Sequence, residues 1–377
     1  MRSLKSLVLL AVLTVVVLAA AIMAQKPSQA IPGAGELLFP GLLGKVNKAV
    51  EIDVQSKGKR FTLKQHDHRW GVAERGGYPV APDKIHKLLV GAAELRRVEP
   101  KTDKAKHYPA LELADPARSD SKSIEFKVKD GDGKVLADWI LGKRSFAKGD
   151  PNASEFFVRV PPDARAWLVQ GSLPIGKSVT EWIDQRVAAI AHQRIREVKV
   201  TRPDGESLVV RRLSATAADY TLADIPAGME VSESWKVGDV GRFLEDLRCD
   251  DVEPIADASF VDADRQPRLE LTTYDGLRVV METTKDGKRT LARLRASFDP
   301  KLVEKPAKTA APAEDTKAAK KKTKAGDALG VKQSVADLNR RWRDWAFVLP
   351  DYKVGYLLTK RGDLLKSKTA KKDSGGG

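Results

Sequence analysis

The sequence predicts an α+β protein: two tandem repeated modules of mostly antiparallel sheet with packed helices, behind one N-terminal transmembrane helix. The repeat shows in matching segments. Glu51-Ile52-Asp53-Val54 opens a stretch that ends in Val98-Glu99-Pro100, and Glu197-Val198-Lys199-Val200 opens a second that ends in Val252-Glu253-Pro254. Asp-Gly turns recur between alternating strands, and such turns are a strong signal for β-hairpins. A duplicated module favours a scaffold or binding protein over a solitary enzyme.

Residues 1–25 hold the predicted anchor. Leu7 to Ala24 is a run of 18 residues whose only polar member is Thr14. A membrane-spanning helix needs about 17–25 apolar residues, whereas the apolar core of a cleavable signal has about 7–15. Arg2 and Lys5 precede the run, which predicts a cytoplasmic N-terminus and a periplasmic chain at the bacterial inner membrane. Ala19-Ala20-Ala21 would suit a signal peptidase, so a cleaved signal remains the alternative.

The positive charge lies mainly outside the predicted folded modules. The chain has 377 residues and a formal net charge of +15. The N-terminus contributes +3, residues 301–325 contribute +5 and residues 360–377 contribute +4, which leaves +3 for the remainder. A DNA-binding face would need this charge on a folded surface, so we expect no nucleic-acid partner.

The first module is predicted at residues 46–192, after a Pro- and Gly-rich stalk at 26–45. Ala49–Gln55 and Arg60–Gln65 alternate apolar and polar residues around a turn, and Trp70-Gly71-Val72 supplies a third strand. Pro82 suits the first turn of a helix. Further strands follow at residues 124–128, 135–141, 156–160 and 166–169, and a helix that carries Val179, Trp182 and Ile183 closes the module.

The second module is predicted at residues 193–365. Its helix carries Val240, Phe243, Leu244 and Leu247, and its strands include residues 269–271, 277–281 and 291–296. A closing helix has an apolar face formed by Val331, Val335, Leu338, Trp342 and Trp345. Residues 301–325 are rich in Lys, Ala, Pro and Thr and predict a disordered insertion, and residues 366–377 predict a disordered tail.

One motif resembles a phosphate-binding loop. Gly171, Gly176, Lys177 and Ser178 match its spacing, in which backbone amides cradle phosphate and the hydroxyl holds magnesium. Antiparallel surroundings and an expected location outside the cytoplasm oppose nucleotide binding. Ser178 and Glu181 also match a helix capping box, which explains the serine without a ligand. We interpret the match as coincidental and expect no cofactor.

The remaining candidates for chemistry are weaker. His66 and His68 flank Asp67 in a predicted turn, and no third ligand lies nearby for a metal. Asp130-Gly131-Asp132-Gly133 begins like a calcium loop, but Lys134 occupies a ligand position. Cys249 is the only cysteine, which excludes an internal disulfide and indicates a small buried residue. The sequence therefore predicts no catalytic residues and no metal site.

The seven tryptophans lie mostly at apolar positions of strands or helices, which favours core packing and leaves a sugar-stacking surface as an alternative. Several of them belong to short motifs that resemble the bacterial domain-of-unknown-function 4340 family. The motifs are Trp70-Gly71-Val72, Pro82 to Leu89, Trp139-Ile140-Leu141-Gly142, Phe157-Val158-Arg159, Trp167-Leu168-Val169, Trp182 to Arg186 and Trp345 to Tyr352. The resemblance covers about residues 46–360, and the insertion at 301–325 departs from it.

The resemblance implies an exported accessory subunit, because members of that family are often encoded beside permeases of ABC-type transporters and gliding-motility-like auxiliary components. We therefore expect a non-catalytic, membrane-anchored periplasmic accessory or scaffold protein that assists an ABC-type transport complex by binding its permease or an auxiliary subunit. The alternative is a free-standing module that binds envelope polymer or anionic lipid, and nucleotide binding comes third.

Overall fold

A computed structural model describes residue 14 and residues 32–147, 150–303 and 317–368. These residues form two compact units. The first comprises the described residues up to 62 together with residues 83–177, and the second comprises residues 63–82 together with the described residues from 178 onward. The predicted anchor at Leu7–Ala24 lies outside the described residues except for Thr14. Among the helices that the structure describes, none combines the length and apolar character needed to cross a bilayer.

The protein is a mixed α and β fold in which antiparallel strands predominate. In chain order the strands are β1 Ala49–Ser56, β2 Lys59–His66, β3 Arg69–Val72, β4 Tyr78–Pro79, β5 Arg96–Pro100, β6 Ile124–Asp130, β7 Val135–Ala147, β8 Asp150–Arg159, β9 Ala166–Gln170, β10 Arg186–Ala188, β11 Ile195–Thr201, β12 Ser207–Arg211, β13 Thr221–Leu222, β14 Met229–Val231, β15 Leu247–Arg248, β16 Asp251–Pro254, β17 Arg268–Thr273, β18 Leu277–Asp286, β19 Arg289–Phe298, β20 Trp345–Val348 and β21 Leu365–Ser367. The α-helices are α1 Pro82–Glu94, α2 Ser234–Gly241, α3 Lys317–Trp342 and α4 Asp351–Leu358.

The first unit contains an antiparallel sheet with β1, β6, β7, β8, β9 and β5 as successive neighbours. Strand β2 lies beside β1 and runs on into the second unit at Leu63. Alternation along β6 buries Ile124, Phe126 and Val128, and Phe126 stacks on Trp139 at 5.2 Å between ring centroids. The predicted helix is confirmed as α1, which buries Ile85, Leu88, Leu89 and Ala92.

The second unit contains an antiparallel sheet in the order β13, β12, β11, β17, β18, β19, β20 and β16. Strands β17, β18 and β19 form a meander through the two predicted Asp-Gly-type turns, and the two-residue turn between β18 and β19 places Gly287 at a φ of 58°. In both sheets a short strand that ends in Val-Glu-Pro forms one edge.

Residues 32–45, predicted as a stalk, are instead packed on the first unit. Gly35 donates a backbone hydrogen bond to Arg97, and Leu38 donates one to Leu95, both at 2.7 Å. Leu38 and Leu42 are buried. The prolines and glycines suggested an extended linker, but the two leucines supply apolar surface that is removed from water when the segment lies along β5.

The two predicted closing helices end earlier in the structure than the apolar spacing indicated. Val179 begins a 3-10 helix of three residues, and Trp182 and Ile183 lie beyond its end. Instead, the carbonyl of Trp182 accepts the N–H of Ala81, which follows β4, and the N–H of Asp184 donates to the carbonyl of Pro79 at the end of β4. The second helix, α3, ends at Trp342, so Trp345 opens strand β20.

The predicted disordered insertion at 301–325 is wrong at its C-terminal end, because α3 begins at Lys317. Alanine and lysine are strong helix formers even without an apolar face, which explains a helix that the periodicity argument missed. Residues 304–316, and the predicted tail from residue 369 onward, lie outside the described residues. Helix α2 also ends earlier than predicted, at Gly241, although Val240, Phe243, Leu244 and Leu247 are all buried as expected.

A charged cleft as the candidate functional site

The second unit contains a cleft of about 430 Å³ beside the edge strand β16. Its walls come from three parts of the chain: a 3-10 helix at Ala73–Arg75, strand β16 with the residues that follow it, and the turn between β18 and β19. The charged side chains of its lining are Glu74, Arg75, Asp251, Glu253, Asp257, Lys285, Asp286 and Arg289. Five carboxylates and three cations give this lining a net negative charge.

The first wall depends on a tight turn after Arg75. Gly76 has a φ of 60°, in the left-handed region that glycine adopts without steric cost. A Cβ atom at Gly76 would lie 2.9 Å from Cγ of Pro254 and 3.4 Å from the ring of Trp345. Glycine therefore allows the 3-10 helix to approach the end of β16 closely.

Arg75 and Asp251 join the first two walls. Nε of Arg75 donates to Oδ1 of Asp251 at 2.8 Å, and its terminal nitrogen donates to Oδ2 at 2.7 Å. The two groups are about three-quarters buried, so this two-bond ion pair is only partly screened by water. The hydrogen bonds to Asp251 raise the pKa of Arg75 above its usual value.

Several backbone N–H groups along β16 already have acceptors. The N–H groups of Asp250 and Ile255 donate toward β20, to Val348 and Asp344. Between them, the N–H of Val252 donates to Oδ1 of Asp251 at 2.8 Å. Pro254 has no N–H to donate. The N–H groups of Asp250, Val252 and Ile255 are thus already used, and the groups that the cleft presents to a ligand are mainly its charged side chains.

The hairpin wall holds its cations in place. Arg289 contacts Glu253 at 3.1 Å and also pairs with Asp286. The hydrogen bond to Asp286 is the main cause of the raised pKa of Arg289. Nζ of Lys285 donates to the hydroxyl of Thr290 at 2.8 Å. Both arginines of the cleft thus pair with carboxylates of its walls, whereas Lys285 bonds to a neutral hydroxyl of β19.

Asp257 and Ser259 differ from the other polar residues of the cleft. Both are exposed, and within the described residues neither side chain makes a hydrogen bond or ion pair. A carboxylate is an acceptor when ionised, and a hydroxyl both donates and accepts. With both arginines paired and carboxylates in excess, the group that the cleft can best accept is a cation that also donates hydrogen bonds.

An aromatic cluster supports the segment that carries Arg75. The ring of Tyr78 meets Trp345 edge to face at 5.1 Å, and its hydroxyl donates to the carbonyl of Asp184 at 2.8 Å. Burial raises the pKa of Tyr78. Arg341 binds the carboxylate of Asp184 at 2.7 Å.

Cys249 lies two residues before β16 and is buried. Burial raises the pKa of its thiol to about 12, so it is a packed, protonated residue as its sequence context indicated.

The phosphate-loop match takes an irregular conformation. Gly171 directly follows β9, and residues 172–177 are in no helix or strand. Nζ of Lys177 donates to the carbonyl of Lys122 at 3.3 Å. The hydroxyl of Ser178 donates to the carboxylate of Glu181 at 2.9 Å and does not cap the backbone N–H groups of the helix, as the serine of the predicted capping box would. Three residues of 3-10 helix follow, whereas a phosphate-binding loop opens a full α-helix.

The other sequence candidates fall in turns. His66 and Asp67 are exposed, and Asp67 and His68 have φ values of 47° and 60°, which form the tight turn between β2 and β3. Oδ1 of Asp130 accepts the N–H groups of Asp132 and Lys134, so this carboxylate shapes a hairpin. Among the described residues, no group of three or more His, Cys, Asp or Glu side chains could hold a metal ion.

Comparison with known protein families gives one finding. The family model described as a domain of unknown function, DUF4340, matches residues 70–267, which is more than half of the 377-residue chain. The chain belongs to the DUF4340 family. The matched region contains the residues of the first two cleft walls, whereas the turn between β18 and β19 lies beyond its end. Neither the curated proteins nor the solved structures include a significant match to this DUF4340 chain.

Sequence reasoning missed the cleft of this DUF4340 protein because its walls are far apart in the chain. Residues 74–75, 251–259 and 285–291 meet only after the second sheet has formed. A partial signal was present: carboxylates recur at Asp251, Glu253 and Asp257, and Asp286 and Arg289 flank an Asp-Gly turn. No spacing rule connects the two groups.

Proposed function

We propose that this protein is a non-catalytic accessory protein, anchored in the bacterial inner membrane with its bulk in the periplasm, that binds a basic segment of a partner in the charged cleft. The partner class that the family resemblance implies is an ABC-type transport permease or its auxiliary subunit. The observation that carries the proposal is the carboxylate of Asp257, which has no hydrogen bond or ion pair within the described residues and lies in a cleft whose two arginines already pair with carboxylates. A lysine or arginine side chain supplies both the charge and the donors that this group accepts.

The proposal includes a duplicated architecture. Strands β2, β1, β6, β7, β8, β9 and β5 of the first sheet correspond in order to β12, β11, β17, β18, β19, β20 and β16 of the second. We infer that two tandem copies of one module produced these two sheets behind the N-terminal helix. Duplication supplies two surfaces of related shape, which suits a protein that holds partners together.

The experiment places a photo-crosslinking amino acid at Ser259 of the full-length protein in its own cells, followed by mass spectrometry of the adducts. We expect a transport permease or auxiliary subunit, and we expect Asp257→Lys to abolish the adduct. Asp264→Lys is the matched control, because Asp264 is exposed nearby in sequence but does not line the cleft. An adduct that survives Asp257→Lys would contradict the cleft as the binding site.

A second candidate function has one specific observation in its favour. The side chain of Trp235 is 60% exposed, and Nζ of Lys236 lies 5.4 Å from its ring centroid. An exposed indole beside a cation can stack on a sugar ring of an envelope polymer or lie at a lipid headgroup. Polymer or anionic-lipid binding that is lost in Trp235→Ala and kept in Asp257→Lys would favour this function.

Nucleotide binding is the third candidate function. Calorimetry with nucleotide on wild type and Lys177→Ala tests it.

A further inference from the structure

The N-terminal segment of the described chain is fixed to the first unit. Besides the hydrogen bonds that Gly35 and Leu38 donate to β5, the N–H of Arg97 donates to the carbonyl of Glu36 at 2.9 Å. The chain that arrives from the proposed anchor therefore joins the folded unit near residue 35. A free stalk of 20 residues, as the composition predicted, is replaced by a much shorter connection.

The length of that connection limits how far the unit can lie from the membrane. Seven residues, 25–31, separate the end of the apolar run from Pro32, the first residue of the described segment. A fully extended chain spans at most about 3.3–3.6 Å per residue, so this connection reaches at most about 25 Å. The first unit is thus held close to the bilayer surface.

The loop and 3-10 helix at residues 39–48 have the composition of a surface that contacts lipid. Leu42 is buried, but the adjacent Leu43 is 56% exposed. Lys45 and Lys48 are exposed in the 3-10 helix that begins at Leu43. No acidic residue occurs between Glu36 and Glu51, so no carboxylate within this stretch neutralises the two lysines.

The inside of this loop is anchored. The ring of Phe39 packs on Trp139 at 5.6 Å between centroids, and the N–H of Lys45 donates to the carbonyl of Leu42 at 2.8 Å. Leu43 and the two lysines are therefore presented by a fixed backbone. An apolar side chain next to cations is the arrangement that binds an anionic lipid surface, because the apolar group enters the interface while the cations remain at the phosphates.

We propose that residues 39–48 rest on the outer surface of the bilayer, with Leu43 in the lipid interface and Lys45 and Lys48 at the phosphate groups of anionic phospholipids. This inference rests on the membrane anchor of the proposed function, which supplies the short tether. Contact with the bilayer would fix the orientation of the first unit relative to the membrane. A partner permease would then bind a surface whose orientation relative to the membrane is fixed.

The test uses the full-length protein reconstituted into vesicles, with Cys249→Ala to remove the native thiol and Leu43→Cys to carry an environment-sensitive fluorophore. Vesicles contain either phosphatidylglycerol with phosphatidylcholine or phosphatidylcholine alone, each with a lipid-borne quencher. We expect at least threefold stronger quenching at residue 43 than at Val135→Cys, a position in the same unit with similar exposure of 47%. Lys45→Glu with Lys48→Glu should reduce quenching at least twofold in the anionic vesicles only.

Two outcomes overturn the inference. Equal quenching at residues 43 and 135 would show that the loop does not touch lipid, and equal quenching in both vesicle types would remove the lysines from the contact. Extraction by alkaline carbonate separates this failure from failure of the anchor. Protein that resists extraction but shows no quenching at residue 43 refutes the loop contact alone, whereas protein that is extracted refutes the anchor on which the inference rests.

Discussion

The two edge strands β5 and β16 share the ending Val-Glu-Pro and the same place in their sheets, yet they are covered differently. Main chain covers β5, since residues 35–38 exchange backbone hydrogen bonds with residues 95–97. Side chains cover β16: the carboxylate of Asp251 accepts both its neighbour's N–H and the guanidinium of Arg75. A main-chain cover occupies the hydrogen-bonding groups of the edge residues that it pairs with, whereas a side-chain cover leaves space between the walls. The cleft is the result of the second arrangement.

The largest expected loss of stability follows from removing the aromatic ring that supports the cover of β16. Tyr78→Ala removes a buried ring that packs on Trp345 and Phe347, and we expect it to lower the free energy of unfolding by about 4 kcal/mol. Hydrogen exchange with mass spectrometry should show faster exchange in β16 and β20. Tyr78→Phe keeps the ring and loses only the bond to Asp184, so about 1 kcal/mol is expected. Equal effects of the two substitutions would contradict ring packing as the main contribution.

The β5 cover is tested by Leu38→Ala. This side chain is buried, so we expect a loss of about 3 kcal/mol and faster exchange in β5, with β16 unchanged. Leu43→Ala, which changes an exposed leucine five residues away, should alter stability by less than about 0.5 kcal/mol. If Leu38→Ala leaves exchange in β5 unchanged, the N-terminal segment does not protect that edge.

The ion pair between Arg75 and Asp251 should contribute less to the free energy of unfolding than the buried rings and leucines do, and its contribution can be measured separately. Arg75→Ala leaves the Asp251 carboxylate with one donor fewer on each oxygen, and we expect a loss of about 1–2 kcal/mol. A double-mutant cycle with Asp251→Asn, measured by urea unfolding, isolates the coupling between the two groups. Additive effects within about 0.3 kcal/mol would mean that the pair does not join the walls.

The smallest expected effect concerns Cys249, two positions before the start of β16, and it appears only in alkali. Burial raises the pKa of its thiol to about 12, whereas an unfolded thiol titrates near about 8.5. The unfolded chain therefore releases its proton first, and stability present below about pH 8.5 is lost as the pH rises toward 12. Thermal unfolding between pH 7 and 10.5 should show a shallower decline for Cys249→Ala. Parallel pH profiles would rule out a thiol contribution.

Local patterns predicted the elements of this protein better than their ends. Alternation and turn chemistry correctly located β1 and β2 around Lys57-Gly58, where both residues have positive φ, and the meander from β17 to β19. Helix α1 followed from Pro82 and its apolar spacing. These features depend on neighbours within a few residues, so the sequence contains enough information to predict them.

Features that depend on distant partners were not predictable in this way. Trp182 and Ile183 have a helical spacing, but backbone hydrogen bonds with the segment after β4 determine their conformation. The stalk prediction failed because nothing in residues 32–45 indicates that β5 has an open edge for them to cover. The cleft brings together side chains about 210 positions apart, such as Arg75 and Arg289. Periodicity in a single sequence does not indicate which distant positions are close in the fold.

The position of Tyr78 has a consequence for how the chain is made. Its aromatic partner Trp345 lies roughly 270 residues later, and synthesis adds about 5–20 residues per second. Residues 63–82 therefore leave the ribosome on the order of 10–50 s before the strand that buries Tyr78 exists. During that interval the ring of Tyr78 lacks the aromatic partner that buries it in the folded protein.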